Sequence, residues 1–351
     1  MRARSSRTAT CLLTCLLAAW SAAAQDPPRV RLVATGGTIS NKAGGRLTAE
    51  ELVGLMPGIE RYAKPEFEQF ANVASAQITL DQWLGLGKRL NQLFKDDPNL
   101  AGIVVTSGTD TLEELAYFLD LTVRSDRPVV VVGSMRNPST LGYEGAANLL
   151  DAFRVAAAPD ARGRGVMVVL NDTINAAREV TKTDTLRLDT FQTRGYGILG
   201  VADSDRIVFY RRVERKHTAA SEFDIANVTA LPRVDILMTY QGAPGDLIKA
   251  AVDAGAKGIV VATAGAGATS GTQQDGIGYA AEKGVFVVSS ARAGSGRIPA
   301  RQRPADAQPN PRFEHLIQGE DLPPVKARIL LMLALTKTQS GADIQRIFLE
   351  Y

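Results

Sequence analysis

The chain has 351 residues, of which 45% are hydrophobic and 22% are charged. This length predicts two domains, and the composition is that of a soluble globular protein with an ample core. Only two histidines are present, which disfavours a Ser-His-Asp triad and a histidine-rich metal site. The chemistry must therefore come from hydroxyls, carboxylates, lysine or backbone amides.

The first 24 residues have the pattern of a cleavable secretory signal peptide. Three arginines precede a short apolar run at 11–20, and the alanines at 22–24 offer a cleavage site that would leave Gln25 as the new N-terminus. The apolar run is too short to span a membrane. We therefore expect a periplasmic or secreted protein. A lipoprotein anchored at Cys15 is the alternative, and it is disfavoured by the threonine before that cysteine.

Removal of this segment changes two global properties of the chain. Both cysteines lie within it, so the mature protein is expected to have no disulfide, thiolate metal site or cysteine nucleophile. The net charge of +3 loses three arginines and no acid, which leaves zero. No polybasic run remains, so neither nucleic acid nor a membrane surface is expected as a partner.

Strand-like and helical patterns alternate from residue 28 to about residue 210. Apolar runs predict strands at 30–34, 102–105, 128–132, 165–170 and 206–212. Helices are predicted at 80–94, where Thr79 and Gln82 have the spacing of a capping box, and at 110–121. Buried strands that alternate with helices predict a parallel sheet covered on both faces.

A second, smaller α/β unit follows a polar stretch at 213–232 that predicts a linker. Its strands are expected at 234–239, 258–262 and 284–289, and its helices at 246–254, 273–282, 325–335 and 342–349. Residues 297–311 include four prolines and predict a long irregular loop. The expected division is a signal peptide at 1–24, an N-terminal catalytic domain at 25–212, a linker at 213–232 and a C-terminal domain at 233–351.

Small and polar residues follow four of the predicted strands. They are T-G-G-T at 35–38, T-S-G-T-D at 106–110, G-S-M-R at 133–136 and N-D-T at 171–173. Ligands of open α/β sheets bind beyond the carboxyl ends of the strands, so these residues predict a site for a small polar ligand. Neither glycine loop has the spacing of a dinucleotide or phosphate loop, which disfavours nucleotide binding.

Each of these residues, taken alone, has a simpler explanation. The T-G-G-T sequence could be a tight turn with a capping threonine. Asp110 has a glutamate three residues later, which suits the first turn of a helix. Lys182 could be an ordinary solvated lysine, and Ser75 alone indicates nothing.

Taken together, the residues indicate hydroxyl chemistry. A threonine hydroxyl is a poor nucleophile at neutral pH unless a neighbouring base or polarising group activates it. A second threonine paired with a lysine, with the lysine held by an aspartate, supplies such a relay without histidine. The glycines leave room for a substrate to approach backbone N–H groups that stabilise an oxyanion.

The mature chain resembles the bacterial type II L-asparaginases over nearly its whole length. The matching strings are 34–40 (A-T-G-G-T-I-S), 108–114 (G-T-D-T-L-E-E), 116–123 (A-Y-F-L-D-L-T-V), 178–183 (R-E-V-T-K-T), 326–331 (K-A-R-I-L-L) and 333–336 (L-A-L-T). The resemblance implies a secreted homotetramer, a dimer of dimers, that uses no cofactor and no metal. It would convert L-asparagine to L-aspartate and ammonia.

The resemblance also implies a role for each catalytic residue. Thr38 would be the nucleophile that attacks the side-chain amide and forms an acyl-enzyme. Thr109, Asp110 and Lys182 would form a second triad, in which Lys182 keeps the Thr109 hydroxyl ready to activate a nucleophile or water.

The substrate-binding residues follow from the same resemblance. Asp110 would bind the α-amino group of the substrate, and Ser75 would bind its α-carboxylate. Ala76, Gly108 and Gly37 would frame the same pocket.

The chain departs from the family pattern in the segment after Ile39. The family has a loop tyrosine there that orients or activates the nucleophile, whereas here Lys42 falls nearest that position. Tyr62 and Tyr143 are candidates to reach the site from elsewhere. The acid and asparagine that a neighbouring subunit supplies in that family also have no clear match here, and Asp306 and Gln241 are candidates for them.

Two alternatives stay open at this stage. The protein could be a glutaminase-asparaginase of mixed specificity, or a periplasmic amino-acid binding protein without turnover. Ala76 stands where the family often has a glutamine beside the substrate carboxylate. We expect a preference for asparagine, because Ala76 removes a polar side chain that would help to hold the longer substrate.

Overall fold

The computed structural model describes residues 26–300 and 311–351. The predicted signal peptide, its cleavage site and Asp306 lie outside the described residues.

The N-terminal part contains most of the secondary structure. Its strands are β1 (Arg29–Gly36), β2 (Asn41–Lys42), β3 (Gly45–Arg46), β4 (Lys64–Val73), β5 (Leu100–Thr106), β6 (Val129–Val132), β7 (Val166–Leu170), β8 (Thr173–Ala176), β9 (Val180–Lys182), β10 (Phe191–Thr193), β11 (Gly200–Ala202) and β12 (Ile207–Phe209). Its helices are α1 (Ala49–Gly54), α2 (Leu80–Asp96), α3 (Leu112–Thr122) and α4 (Gly145–Ala157).

The C-terminal part forms a smaller α/β unit. Its strands are β13 (Val234–Met238), β14 (Gly258–Thr263), β15 (Phe286–Ala291) and β16 (Leu316–Gln318). Its helices are α5 (Asp246–Asp253), α6 (Gln273–Glu282), α7 (Pro311–Glu314), α8 (Pro324–Leu335) and α9 (Gly341–Glu350). The predicted large and small α/β domains are therefore both present. The short elements β16 and α7 had no clear sequence signal.

The large sheet has the order β12-β11-β8-β7-β6-β5-β1-β4. The sheet is parallel, as predicted, across the five neighbouring strands β4, β1, β5, β6 and β7. The prediction is wrong at the other edge, where β7, β8, β11 and β12 pair antiparallel. The cause is a two-residue turn, in which Asn171 and Asp172 adopt φ angles of 52° and 60°. Asn171 and Asp172 therefore form a hairpin turn, and Thr173 begins β8, instead of all three simply placing polar groups at the sheet edge.

Helices cover both faces of this sheet, which confirms the predicted layering. Alternate residues of β6 point to opposite sides, so Val129 and Val131 join the core formed with α2, α3 and α8. Val130 and Val132 join the core formed with α1 and α4. The first of these two cores is continuous with the C-terminal unit, because α8 packs between α3 and the smaller sheet.

The smaller sheet is parallel, in the order β13-β14-β15-β16. Ile248 of α5 and Ile277 of α6 cover one face. The stretch at 213–232 contains only a short 3-10 turn at Thr218–Ala220, yet Phe223 and Ile225 are buried against the N-terminal core. Among the described residues, no helix is both long and apolar enough to cross a membrane.

Besides helices α1 and α4, strand β4 is an element that the sequence analysis did not locate. Its residues, K-P-E-F-E-Q-F-A-N-V, are mostly polar or half-buried because β4 is the edge strand next to β1. An edge strand lacks the continuous apolar run that marks a central parallel strand. The strand matters because it leads directly to Ser75.

Candidate active site

Two glycine loops meet at the carboxyl ends of β1 and β5. Gly37 has a φ angle of 93°, and a Cβ atom at this position would lie 2.2 Å from the backbone nitrogen of Gly108. Only glycine permits both the backbone conformation and this approach. The Gly37 N–H donates to the Val73 carbonyl at 2.9 Å, so it is already engaged within the fold. Thr38 follows directly and begins a short 3-10 turn.

Two buried threonines fix the strands beneath these loops. The Thr35 N–H donates to Thr106 Oγ1 at 3.1 Å, and Thr35 Oγ1 donates to the Thr106 carbonyl at 2.6 Å. Both residues are at most 1% exposed. The pair ties the end of β1 to the end of β5 and so fixes the relative position of Thr38 and Thr109.

Asp110 does not cap helix α3, which corrects the simpler explanation of this residue. The helix begins at Leu112, two residues later than predicted, and its N-cap is Thr111, which makes no side-chain capping bond. The Asp110 side chain is 76% exposed and its carboxylate accepts a hydrogen bond from Lys182 at 2.7 Å.

Lys182 is not an ordinary solvated lysine. Its side chain is only 16% exposed, and its ammonium donates to Thr109 Oγ1 at 3.1 Å as well as to Asp110. Thr109 is 5% exposed. A pair in which one partner is mostly in water contributes at most about 1 kcal/mol to stability. The contact therefore orients the three side chains more than it stabilises the fold.

Ser75 also lies beside the second glycine loop, and it is brought there by the segment after β4. It begins a 3-10 turn directly after β4 and is 6% exposed, and Ala76 beside it is exposed. A Cβ atom on Gly108 would lie 2.8 Å from Ser75 Oγ, so the serine hydroxyl sits against the second glycine loop. Gly133, directly after β6, also lies against the site, since a Cβ atom at this position would be 3.3 Å from Thr109 Cγ2.

Sequence analysis left the replacement for the loop tyrosine open, and the structure separates the candidates. The Tyr143 hydroxyl donates to the carbonyl of Ile39, the residue after Thr38, at 2.8 Å. Burial raises the pKa of Tyr143, so its phenol stays protonated and able to donate. Tyr62 instead lies under the guanidinium of Arg154, 5.2 Å from the ring centre.

The segment after Thr38 makes further contacts with neighbouring parts of the N-terminal domain. Arg46 donates to the Gly37 carbonyl at 3.2 Å, and the Ala43 N–H donates to Ser139 Oγ at 2.8 Å. Lys42, which aligns nearest the missing tyrosine, forms an ion pair with Glu51 at 2.9 Å. Tyr143 was one of the two tyrosine candidates, although no local signal distinguished it from Tyr62, because it lies 104 residues from its partner. Arg46 was not predicted, because it contacts a carbonyl that any residue would supply.

A cleft of about 530 Å³ adjoins Lys182. It is lined by Lys182 and Thr183 together with Arg194 and residues 294–297 of the C-terminal unit, and not by Thr38, Thr109 or Asp110.

Gln241, a candidate for closing the site of a neighbouring subunit, is exposed. Within 26–300 and 311–351, no cluster of three or more histidines, aspartates and glutamates is arranged to hold a metal ion.

Comparison with known proteins matches both halves of the chain. The family model for the asparaginase N-terminal domain matches residues 29–215, and the model for the glutaminase/asparaginase C-terminal domain matches residues 233–348. L-asparaginase 2 of Bacillus subtilis is 44% identical over 337 residues, which cover 93% of this chain and 88% of that protein.

Two further relatives extend the comparison. A probable periplasmic L-asparaginase of Haemophilus influenzae is 36% identical over 93% of this chain and 94% of its own length. The crystal structure of a probable cytoplasmic L-asparaginase from Campylobacter jejuni superposes with a TM-score of 0.86 at 40% identity, covering 92% of this chain and all of that one. The two-domain fold and these matches define an amide hydrolase. The chain belongs to the asparaginase family, as a bacterial type II L-asparaginase.

The contact between the glycine loops predicts that Gly37→Ala is far more destabilising than Gly44→Ala. Both glycines have positive φ angles, 93° and 79°, so backbone strain is similar in the two variants. Only the methyl group at position 37 would meet backbone atoms, whereas nothing lies within 4 Å at position 44. We expect Gly37→Ala to lose at least about 2 kcal/mol more in the free energy of unfolding, measured by urea denaturation. Equal losses would show that the loops are not in contact.

Proposed function

We propose that the protein is a secreted enzyme that hydrolyses L-asparagine to L-aspartate and ammonia, with Thr38 as the nucleophile. The observation that carries this proposal is the bonding of the Lys182 ammonium to Thr109 and Asp110, directly beside the loop that bears Thr38. An aligned hydroxyl, lysine and carboxylate at one sheet edge is an arrangement suited to proton transfer without histidine.

In the proposed reaction, Thr38 Oγ attacks the side-chain amide carbon of asparagine and forms a tetrahedral intermediate. The proton from the Thr38 hydroxyl passes to the departing nitrogen, the carbon–nitrogen bond breaks and ammonia leaves. Water then attacks the acyl-threonine ester, returns a proton to Thr38 Oγ and releases aspartate. Thr109 and Lys182 would hold and pass the proton in these steps, as hydroxyl and ammonium groups in hydrogen-bond contact can do.

The same site provides groups for the two charged ends of the substrate. Asp110 is exposed and negatively charged, which suits the α-ammonium group. Ser75 and the Gly108 backbone lie together where they could hold the α-carboxylate. Ala76 contributes no polar group. Gly37 would frame the pocket through its lack of a side chain, since its N–H is already bonded to Val73.

Location and assembly are part of the proposal. The sequence of the first 24 residues supports secretion or periplasmic location, with cleavage between Ala24 and Gln25. The relatives point both ways, because one is named periplasmic and another cytoplasmic. The homotetramer, a dimer of dimers, rests on the family resemblance.

Replacement of the nucleophile tests the mechanism. In Thr38→Ala we expect kcat/KM for ammonia release from asparagine to fall by about three powers of ten or more, since an essential nucleophile is lost. Thr38→Ser keeps a hydroxyl and should retain more activity than the alanine variant. Thr229→Ala, at an exposed position away from the site, is the matched control and should behave as wild type.

The covalent intermediate gives a second readout of the same mechanism. In the wild-type protein, mass spectrometry after rapid quenching should find an aspartyl group on the peptide that contains Thr38, and in Thr38→Ala that group should be absent. An aspartyl group on Thr109 instead would exchange the roles of the two threonines. Binding of aspartate without ammonia release from any amide would favour the alternative, an amino-acid binding protein.

A second candidate function, mixed glutaminase and asparaginase activity, is favoured by the C-terminal family model, whose description names both enzymes. One extra methylene in a pocket is worth only about 1–3 kcal/mol, or roughly 10- to 200-fold. Because Ala76 offers no polar group to a longer substrate, we expect kcat/KM to favour asparagine within that range. A glutamine-to-asparagine ratio near or above one, measured by ammonia release, would overturn this preference.

A further inference from the structure

We propose that Lys326 and Glu113 form a buried clamp that positions Lys182, so that helix α8 of the C-terminal unit sets the geometry of the proposed active site. The clamp consists of these two side chains and the backbone they hold at residues 177–182. This inference rests on the proposed function for its effect on catalysis, but the clamp itself is testable without any activity.

The Lys326 ammonium donates hydrogen bonds to three carbonyls in one stretch of backbone. The side chain is fully buried and donates to the carbonyls of Ala177 at 2.8 Å, Arg178 at 3.0 Å and Val180. Burial lowers the pKa of Lys326 to about 8, although the nearby Glu113 opposes that shift. A lysine has three N–H donors, and here all three point at the segment that leads into β9.

Glu113 holds the same segment from helix α3. Its Oε1 accepts hydrogen bonds from Thr181 Oγ1 at 2.9 Å and from the backbone N–H of Lys182 itself at 3.1 Å. Its Oε2 is buried and lies 3.9 Å from the Lys326 ammonium. The carbonyls of the segment are therefore held by a cation and its N–H by an anion, and the two charges face each other.

Strand β9 needs such support because the main sheet does not hold it. It has three residues and pairs only with β10, in a separate two-stranded sheet. An isolated pair of short strands is at best marginally stable in water. A lysine placed on it would not keep its ammonium within hydrogen-bond distance of Thr109 unless the backbone were fixed by other contacts.

A second contact from the C-terminal unit reinforces the first. Arg178 donates two hydrogen bonds to Asp321, at 2.6 and 2.9 Å, and a third to the Tyr351 carbonyl at 2.9 Å. Burial would raise the pKa of Asp321, but the bonds from Arg178 outweigh it and hold that pKa below its usual range. Residues 177–182 are thus tied to the C-terminal unit on both sides of Glu179.

Stability alone is a poor reason for a buried lysine at this place. Desolvation of an ammonium is costly, and well-packed apolar side chains often match or exceed the stability of buried charge pairs. Unlike an apolar side chain, Lys326 also fixes the position of the backbone, because its three hydrogen bonds hold three carbonyl groups in place. A displacement of about 1 Å at a reacting group can reduce the rate of catalysis about a hundredfold.

The test compares Lys326→Met and the milder Thr181→Val with Lys337→Met in the full mature chain. Methionine keeps the length of the lysine side chain without its donors, and valine keeps the shape of Thr181 without the bond to Glu113. Lys337 lies just beyond the end of α8 in a part-exposed ion pair with Glu222, so it is the matched control. Hydrogen exchange is followed by mass spectrometry on peptides that cover residues 177–183, and kcat and KM are measured for asparagine.

We expect exchange at 177–183 to become at least about tenfold faster in Lys326→Met and to increase less in Thr181→Val. We expect kcat to fall about 10- to 100-fold in Lys326→Met, with a much smaller change in KM, because Lys182 does not bind the charged ends of the substrate. Lys337→Met should change neither quantity.

Unchanged exchange at 177–183 in both Lys326→Met and Thr181→Val would overturn the clamp. Faster exchange with an unchanged kcat would show that the clamp is structural only and does not position Lys182. If Lys326→Met does not fold, Thr181→Val decides by the same two readouts. If the wild-type protein releases no ammonia from asparagine, the proposed function fails, and the exchange data still decide whether the clamp holds the segment.

Discussion

The organisation of the site depends on one ammonium group that contacts two neighbouring side chains from a distant part of the chain. Lys182 reaches Thr109 and Asp110 across 73 and 72 residues of sequence, and the Asp110 partner is largely in water. Such a contact adds little stability, so the fold must bring its members together by other means. The glycine loops and the buried contacts that support β9 provide those means. They explain why a glycine with a positive φ angle lies at position 37 and why a lysine is buried at position 326.

The glycine loops allow three backbone segments to approach one another closely. A side chain at Gly37 or Gly108 would collide with neighbouring backbone or with Ser75, so the three segments that bear the proposed catalytic and binding groups can meet only where side chains are absent. The paired threonines beneath them fix the strands. The Tyr143 hydroxyl then holds the chain directly after Thr38. The first loop is thereby held in place although the loop tyrosine of the family pattern has no match after Ile39.

Much of the fold could be predicted from local sequence, whereas the roles of the site residues came from the family resemblance and stay predictions. The capping box at Thr79 and the apolar parallel strands are local signals, and the structure contains them nearly as predicted. The start of α3 was wrong because Asp110 forms a long-range ion pair instead of a cap. Strand β4 was missed because an edge strand has no apolar run. Lys326 fell within a string that matched the family, but its function could not be inferred, since its three acceptors are backbone carbonyls about 150 residues away, and carbonyls carry no sequence signal.

The central claim is that Thr109 and Lys182 act as one unit beside Thr38, the proposed nucleophile. A double-mutant cycle with Thr109→Val and Lys182→Met, measured as kcat/KM for asparagine hydrolysis, tests it most directly. If the two groups form one proton relay, the double variant should lose no more activity than the more damaging single variant, because either change alone breaks the relay. Losses that multiply in the double variant would show that the two residues act independently, and would contradict the account.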